Sequence, residues 1–180
     1  IYGEETITYY NNSPDALNYL WLQLDQNVRA PGSDAQLTRT SKLNNQMYSG
    51  QIMNFHESFD GGFKIEAVKD KKGESLNYTI NKTMLRIDLA TPLKPGANVS
   101  FQVKWWYNVN DGLKTRARSG YEFFPEDGNY MYNIAQFYPR MCAYNAIDGW
   151  QNKQFLGRGE FTLSFGDFNY SITAPENFIV

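Results

Sequence analysis

The feature that most constrains this chain is an apolar side chain recurring at every second residue, in one segment after another. Leu20, Leu22 and Leu24 share one parity. Leu85, Ile87 and Leu89 alternate with Arg86 and Asp88, and Val99, Phe101, Val103 and Trp105 repeat the pattern. Successive side chains of a strand point to opposite faces, so each segment presents one apolar and one polar face. The 13 Tyr, 12 Phe and 4 Trp, residues that fit pleated, half-buried surfaces, point the same way. The expectation is an all-β, antiparallel fold, saddle-like or sandwich-like, spanning 1–180 as a single domain.

Turn chemistry punctuates these segments. Asn11-Asn12-Ser13-Pro14-Asp15 separates a strand over Glu5 to Tyr10 from one over Tyr19 to Leu24. Gly61-Gly62 releases a strand over Phe63 to Val68, Lys71-Lys72-Gly73-Glu74 reads as a hairpin loop into Leu76 to Ile80, and Pro92 to Gly96 makes the next turn. Further strands are expected at Tyr121–Phe124, Tyr130–Phe137, Glu160–Phe165 and Phe168–Ala174. Alternation lapses from Ala30 to Met47, where Ser33 followed three residues later by Gln36 resembles a capping box; one short helix is expected near residues 33–46.

Charge and cysteine content exclude several functions. The 17 basic and 19 acidic side chains nearly cancel, leaving no field to gather nucleic acid. Cys142 is the sole cysteine and forms no internal disulfide. No apolar run is long enough for a transmembrane segment. The start at Ile1 without a leader and the extended last residues, Ala174 to Val180, read as a trimmed start and an excised boundary.

Few residues carry chemistry. His56, the single histidine, has no ligand-type neighbour at metal-binding spacing, so no metal site and no cofactor is expected within the chain. Cys142 lacks a nearby base and reads as a small hydrophobe. Glu122, Glu126 and Asp127 surround Phe123-Phe124-Pro125 and Gly128 as in a solvated turn. Asn-x-Ser/Thr triplets at Asn11, Asn77, Asn81, Asn98 and Asn169 require a secretory host and carry no argument. Trp105-Trp106-Tyr107 and Tyr130-Met131-Tyr132 either pack in a core or under a partner domain, or form a carbohydrate-stacking platform.

Two stretches carry a family resemblance: Asn133-Ile134-Ala135-Gln136-Phe137-Tyr138-Pro139-Arg140-Met141, and Gly149-Trp150-Gln151-Asn152-Lys153-Gln154-Phe155-Leu156-Gly157-Arg158-Gly159-Glu160-Phe161. With Ile172-Thr173-Ala174-Pro175, and with the opening segments Gly3 to Tyr9, Asn11 to Asp15 and Leu20 to Asn27, they resemble the N-terminal domain of bacterial zinc aminopeptidases of the M1 (gluzincin) family. The resemblance covers most of the chain. It implies a saddle-shaped β domain covering the catalytic domain of the same polypeptide and closing one end of a peptide-substrate cleft. A glutamine matching Gln136 binds the substrate's N-terminal end in that family; the alternative for Gln136 is a strand glutamine satisfying neighbouring backbone. Gly-x-Met-Glu-Asn and His-Glu-x-x-His, which carry the family's amine anchor, zinc ligands and general base, do not occur, so zinc and catalysis belong to a domain outside this chain. The family's Phe-Pro-Cys-Phe-Asp-Glu-Pro run is replaced by Met141 to Asp148, which marks a divergent branch. The implied parent is bacterial, in the cell envelope or the cytoplasm. The chain alone is expected to be inactive and to self-associate through its uncovered apolar face. The rival function is a carbohydrate-binding or adhesive β-sandwich.

Overall fold

The computed structural model describes residues 1–38, 49, 59–115, 119–157 and 164–179. The chain is mostly β, and its sheets are antiparallel. One sheet is built from β1 (Tyr2–Tyr10), β6 (Asn98–Trp106) and β3 (Lys64–Asp70), with β6 in the centre. The other runs in the order β4 (Tyr78–Asn81), β5 (Met84–Leu93), β2 (Leu17–Gln23) and β9 (Arg140–Met141). Two hairpins, β7 (Gly120–Phe124) with β8 (Asn129–Asn133) and β10 (Tyr144–Asn145) with β11 (Gly149–Trp150), pair apart from these sheets.

Apolar parity sets the register. Leu20 lies opposite Ile87 and Leu22 opposite Leu85. In the other sheet Ile7 faces Phe101 and Val68 faces Val103. These residues join in one core cluster with Leu24, Phe63, Trp105 and Tyr107, so the sheets stack as a sandwich. Leu20, Leu22, Leu85, Ile87 and Val103 are fully excluded from water, and burial of each such side chain favours folding by about 1.5–3 kcal/mol. A one-residue slip of β2 on β5 would turn the leucines outward, which fixes the pairing.

The turn at residues 11–15 is held by one side chain. Asn11, fully buried, donates from Nδ2 to the carbonyls of Asp15 (2.7 Å) and Leu93 (2.9 Å) and accepts at Oδ1 from the Ser13 amide and hydroxyl. The expected turn at 71–74 is also present: the Asp70 amide bonds the Glu74 carbonyl, and the Asp70 carboxylate accepts the Lys72 and Glu74 amides. The chain then leaves this sheet. Beyond a bridge between Lys69 and Ser75, β4 pairs with β5 in the opposite sheet, so the 71–74 loop opens a crossover as well as a turn.

Ser33 caps a single helical turn, α1 (Asp34–Leu37), accepting the Gln36 amide at its hydroxyl; residues 39–46 of the expected helix lie outside the described residues. A second turn, α2, covers Gly112–Thr115. Two strand expectations are corrected. The Tyr130–Phe137 strand ends at Asn133, because the next residues give their backbone to side chains rather than to a ladder. Phe168–Ala174 forms no strand and is exposed throughout. The Glu160–Phe165 strand falls largely outside the described residues, and Ser164 and Phe165 are not in a strand.

Candidate functional site

The segment after β8 is strapped to the sandwich by its own carbonyls. Gln26 Nε2 donates to the carbonyls of Ala135 (2.8 Å) and Gln136 (3.1 Å), and the buried Trp105 indole Nε1 donates to that of Phe137 (3.1 Å). Three consecutive carbonyls are thus taken by core side chains, which is why the strand cannot continue. Gln136 sits between them at φ 54, in the left-handed region that costs a residue with a Cβ about 1–2 kcal/mol. Its side chain is half-buried, and among the described residues its amide makes no hydrogen bond. Of the two roles read for Gln136, satisfying neighbouring strand backbone is therefore not the one observed.

Gln26 belongs to a 3-10 turn, Asp25–Arg29, that follows β2 and carries a run of buried polar residues. Asp25, with no solvent exposure, accepts from Arg140 Nη2 (2.6 Å), Arg140 Nε (2.7 Å) and Gln23 Nε2 (2.5 Å). Arg29 Nη1 donates to Gln26 Oε1 (2.6 Å), fixing the amide that holds the Gln136 loop. Burial pulls the Arg29 guanidinium below its ordinary pKa, opposed by Tyr107 and Asp25. Asn27 bridges the Lys82 carbonyl (2.6 Å) and the Phe63 amide (2.7 Å). The turn therefore ties together β2, the start of β3, the β4–β5 turn and both ends of the Gln136 loop. Sequence reasoning missed Asp25, Gln26, Asn27, Arg29 and Arg140; the signal was three consecutive polar residues, Asp25-Gln26-Asn27, directly after an apolar alternating strand.

The other candidates separate. Trp105 and Tyr107 are core residues, 3% and 2% exposed, so the Trp105-Trp106-Tyr107 platform is not available; Trp106 stacks obliquely on Tyr2. Tyr130 and Tyr132 are outside, 55% and 43% exposed, with ring centroids 6.2 Å apart, and Phe123 lies 4.7 Å from Tyr130. Phe178 continues the row at 5.4 Å from Tyr132. Glu126 and Asp127 occupy the exposed turn of this hairpin. Cys142 is buried 3.9 Å from Met84 Sδ, and burial pushes its thiol up to about 12, which makes it inert as a nucleophile. His56 lies outside the described residues. Among the described residues no three His, Cys, Asp or Glu side chains gather as metal ligands, and no helix is long and apolar enough to cross a membrane. Comparison with protein-family models, with curated proteins and with solved structures yields no match.

Proposed function

We propose that this chain is the substrate-cleft domain of a zinc aminopeptidase of the M1 type, with Gln136 orienting the N-terminal end of a peptide. The observation that carries the reading is the Gln136 loop itself. A non-glycine residue held in the left-handed region by hydrogen bonds from the buried side chains of Gln26 and Trp105, with its amide unspent, is the arrangement expected where strain serves a site. That amide offers two donors and an acceptor, which suits a peptide's amine and first peptide group without adding charge. Phe165, Phe168, Tyr170 and Ile172, all exposed, supply apolar surface of the kind a catalytic domain would cover.

The test uses the full-length parent protein. It should hold one zinc, outside this domain, and hydrolyse aminoacyl anilides. Gln136→Ala should lower kcat/KM about tenfold to a hundredfold, leaving zinc content and melting temperature unchanged. A parent without zinc, or a variant as active as the parent, overturns the proposal.

The exposed row of Phe123, Tyr130, Tyr132 and Phe178 favours a second reading, a sugar-stacking face on the β7–β8 hairpin. On that reading the chain binds immobilised glycans and Tyr130→Ala abolishes the signal. Glycan binding unchanged by Tyr130→Ala, or absent from the parent chain, removes it.

A further inference from the structure

β1 is an edge strand whose open side is unusually well suited to pairing. It is nine residues long, has no bulge against β6, and contains no proline. Native sheets ordinarily blunt such an edge with bulges, lysines, prolines, a covering segment or inward-pointing ionisable residues, of which β1 has, among the described residues, only the inward Glu5. The opposite edge of the same sheet does so: β3 is bulged between Ile65 and Ala67, carries Lys64 and Lys69, and is bonded at Val68 by the Leu76 amide. In the other sheet the edge strands are short, Tyr78–Asn81 and Arg140–Met141. Among the described residues no strand pairs with the outer side of β1.

The hydrogen-bond parity shows which groups are free. Ile1 exchanges both bonds with Tyr107, and Asn11 bonds Ala97, so the odd-numbered residues of β1 point their backbone groups at β6. Bonding partners alternate along an antiparallel ladder. Tyr2, Glu4, Thr6 and Thr8 therefore present their N–H and C=O groups to the open side, as does the Tyr10 amide.

We infer that this edge pairs with β1 of a second copy of the chain, antiparallel about a two-fold axis at Thr6. In that register Tyr2 lies opposite Tyr10 of the second copy, Glu4 opposite Thr8, and Thr6 opposite Thr6, each a bonded pair of the required parity. It is also the register that overlaps all nine residues. Sliding the copies so that the axis falls at Glu5 sets two Glu5 carboxyls against each other, and at Glu4 two Glu4 carboxylates, which is unfavourable. The chosen register opposes no like charges and places tyrosines 82% and 59% exposed as cross-strand partners at both ends. The occupant is thus selected by the strand's self-complementarity. The inference is independent of the aminopeptidase reading.

Sedimentation of the chain over rising concentration should show a monomer–dimer equilibrium. Thr6→Lys, which opposes two ammonium groups at the axis, should leave a monomer with unchanged circular dichroism and melting temperature. Thr6→Cys should be joined as a dimer by a short bis-maleimide, because bonded partners lie about 5.5 Å apart between Cα atoms; Cys142, buried, does not compete. A parent chain monomeric at every concentration overturns the inference, including one that instead binds an added extended peptide. A Thr6→Lys dimer as tight as the parent, or cross-linking that is stronger from Glu4→Cys than from Thr6→Cys, does the same.

Discussion

Replacing Glu5 with glutamine is expected to stabilise the fold by a few kcal/mol at about pH 9 and to leave it unchanged at about pH 4. Glu5 lies on the inward parity of β1, opposite Val103, and its Oε1 is sealed from solvent without a hydrogen-bond partner. Burial pushes its carboxyl from 4.5 up to about 8. The folded chain therefore binds a proton that the unfolded chain has released between these values, so stability falls as pH rises through this window. It is fully present below pH 4.5, and flat at its lower level above about pH 8. At about 1.4 kcal/mol per pH unit the interval sets a ceiling of about 5 kcal/mol. Glutamine keeps the shape and remains neutral, so the difference between parent and variant isolates this group from every other titration. Urea midpoints measured across the range check it: parallel curves for the two proteins would show that the Glu5 carboxyl is solvated in solution.

Glu5 also marks what alternation conveys and what it leaves out. The parity that puts Ile7 and Tyr9 inside puts Glu5 inside as well, so its burial was legible once the strand was. The strands β1, β2, β5 and β6 were readable for a physical reason: each is long enough to show a period, and each has one face against a core. β9, β10 and β11 are two residues long and have no period to show. Pairing partners were not legible, since β1 finds β6 across about half of the chain and nothing local encodes that distance. Phe168 to Thr173 shows the converse. It alternates as well as any core strand, yet Phe168, Tyr170 and Ile172 are more than 60% exposed and no ladder forms, because alternation states a capacity for burial and a partner must supply it.

The candidate site divides along similar lines. Gln136 was reached through resemblance, but its conformation was not: the left-handed φ follows from Gln26 and Trp105 taking the flanking carbonyls, contacts made over more than 100 residues in one case and 32 in the other. The buried polar turn at 25–29 went unread because polar residues after a strand ordinarily mean a solvated loop. Here they are the side chains that satisfy a backbone segment lacking a ladder, and such groups must be bonded wherever water is excluded.

Arg140→Met should accordingly lower stability by about 3–5 kcal/mol in urea unfolding, because it strips the guanidinium from a carboxylate with no access to water. Met fills the stem's volume, so the loss reports charge rather than a cavity. Adding Asp25→Asn should recover much of it: the amide still accepts from Gln23 and no uncompensated charge is left. A loss below about 1 kcal/mol for Arg140→Met, or a double variant no better than the single, would show that the pair is hydrated and that the turn holds the loop by packing alone. The recovery also bears on the site. The loop between β8 and β9 is anchored at one end by Gln26 and at the other by Arg140, both through the same turn. A double variant that regains stability while the full-length parent keeps a raised KM would separate the anchoring of Gln136 from the stability of the fold beneath it.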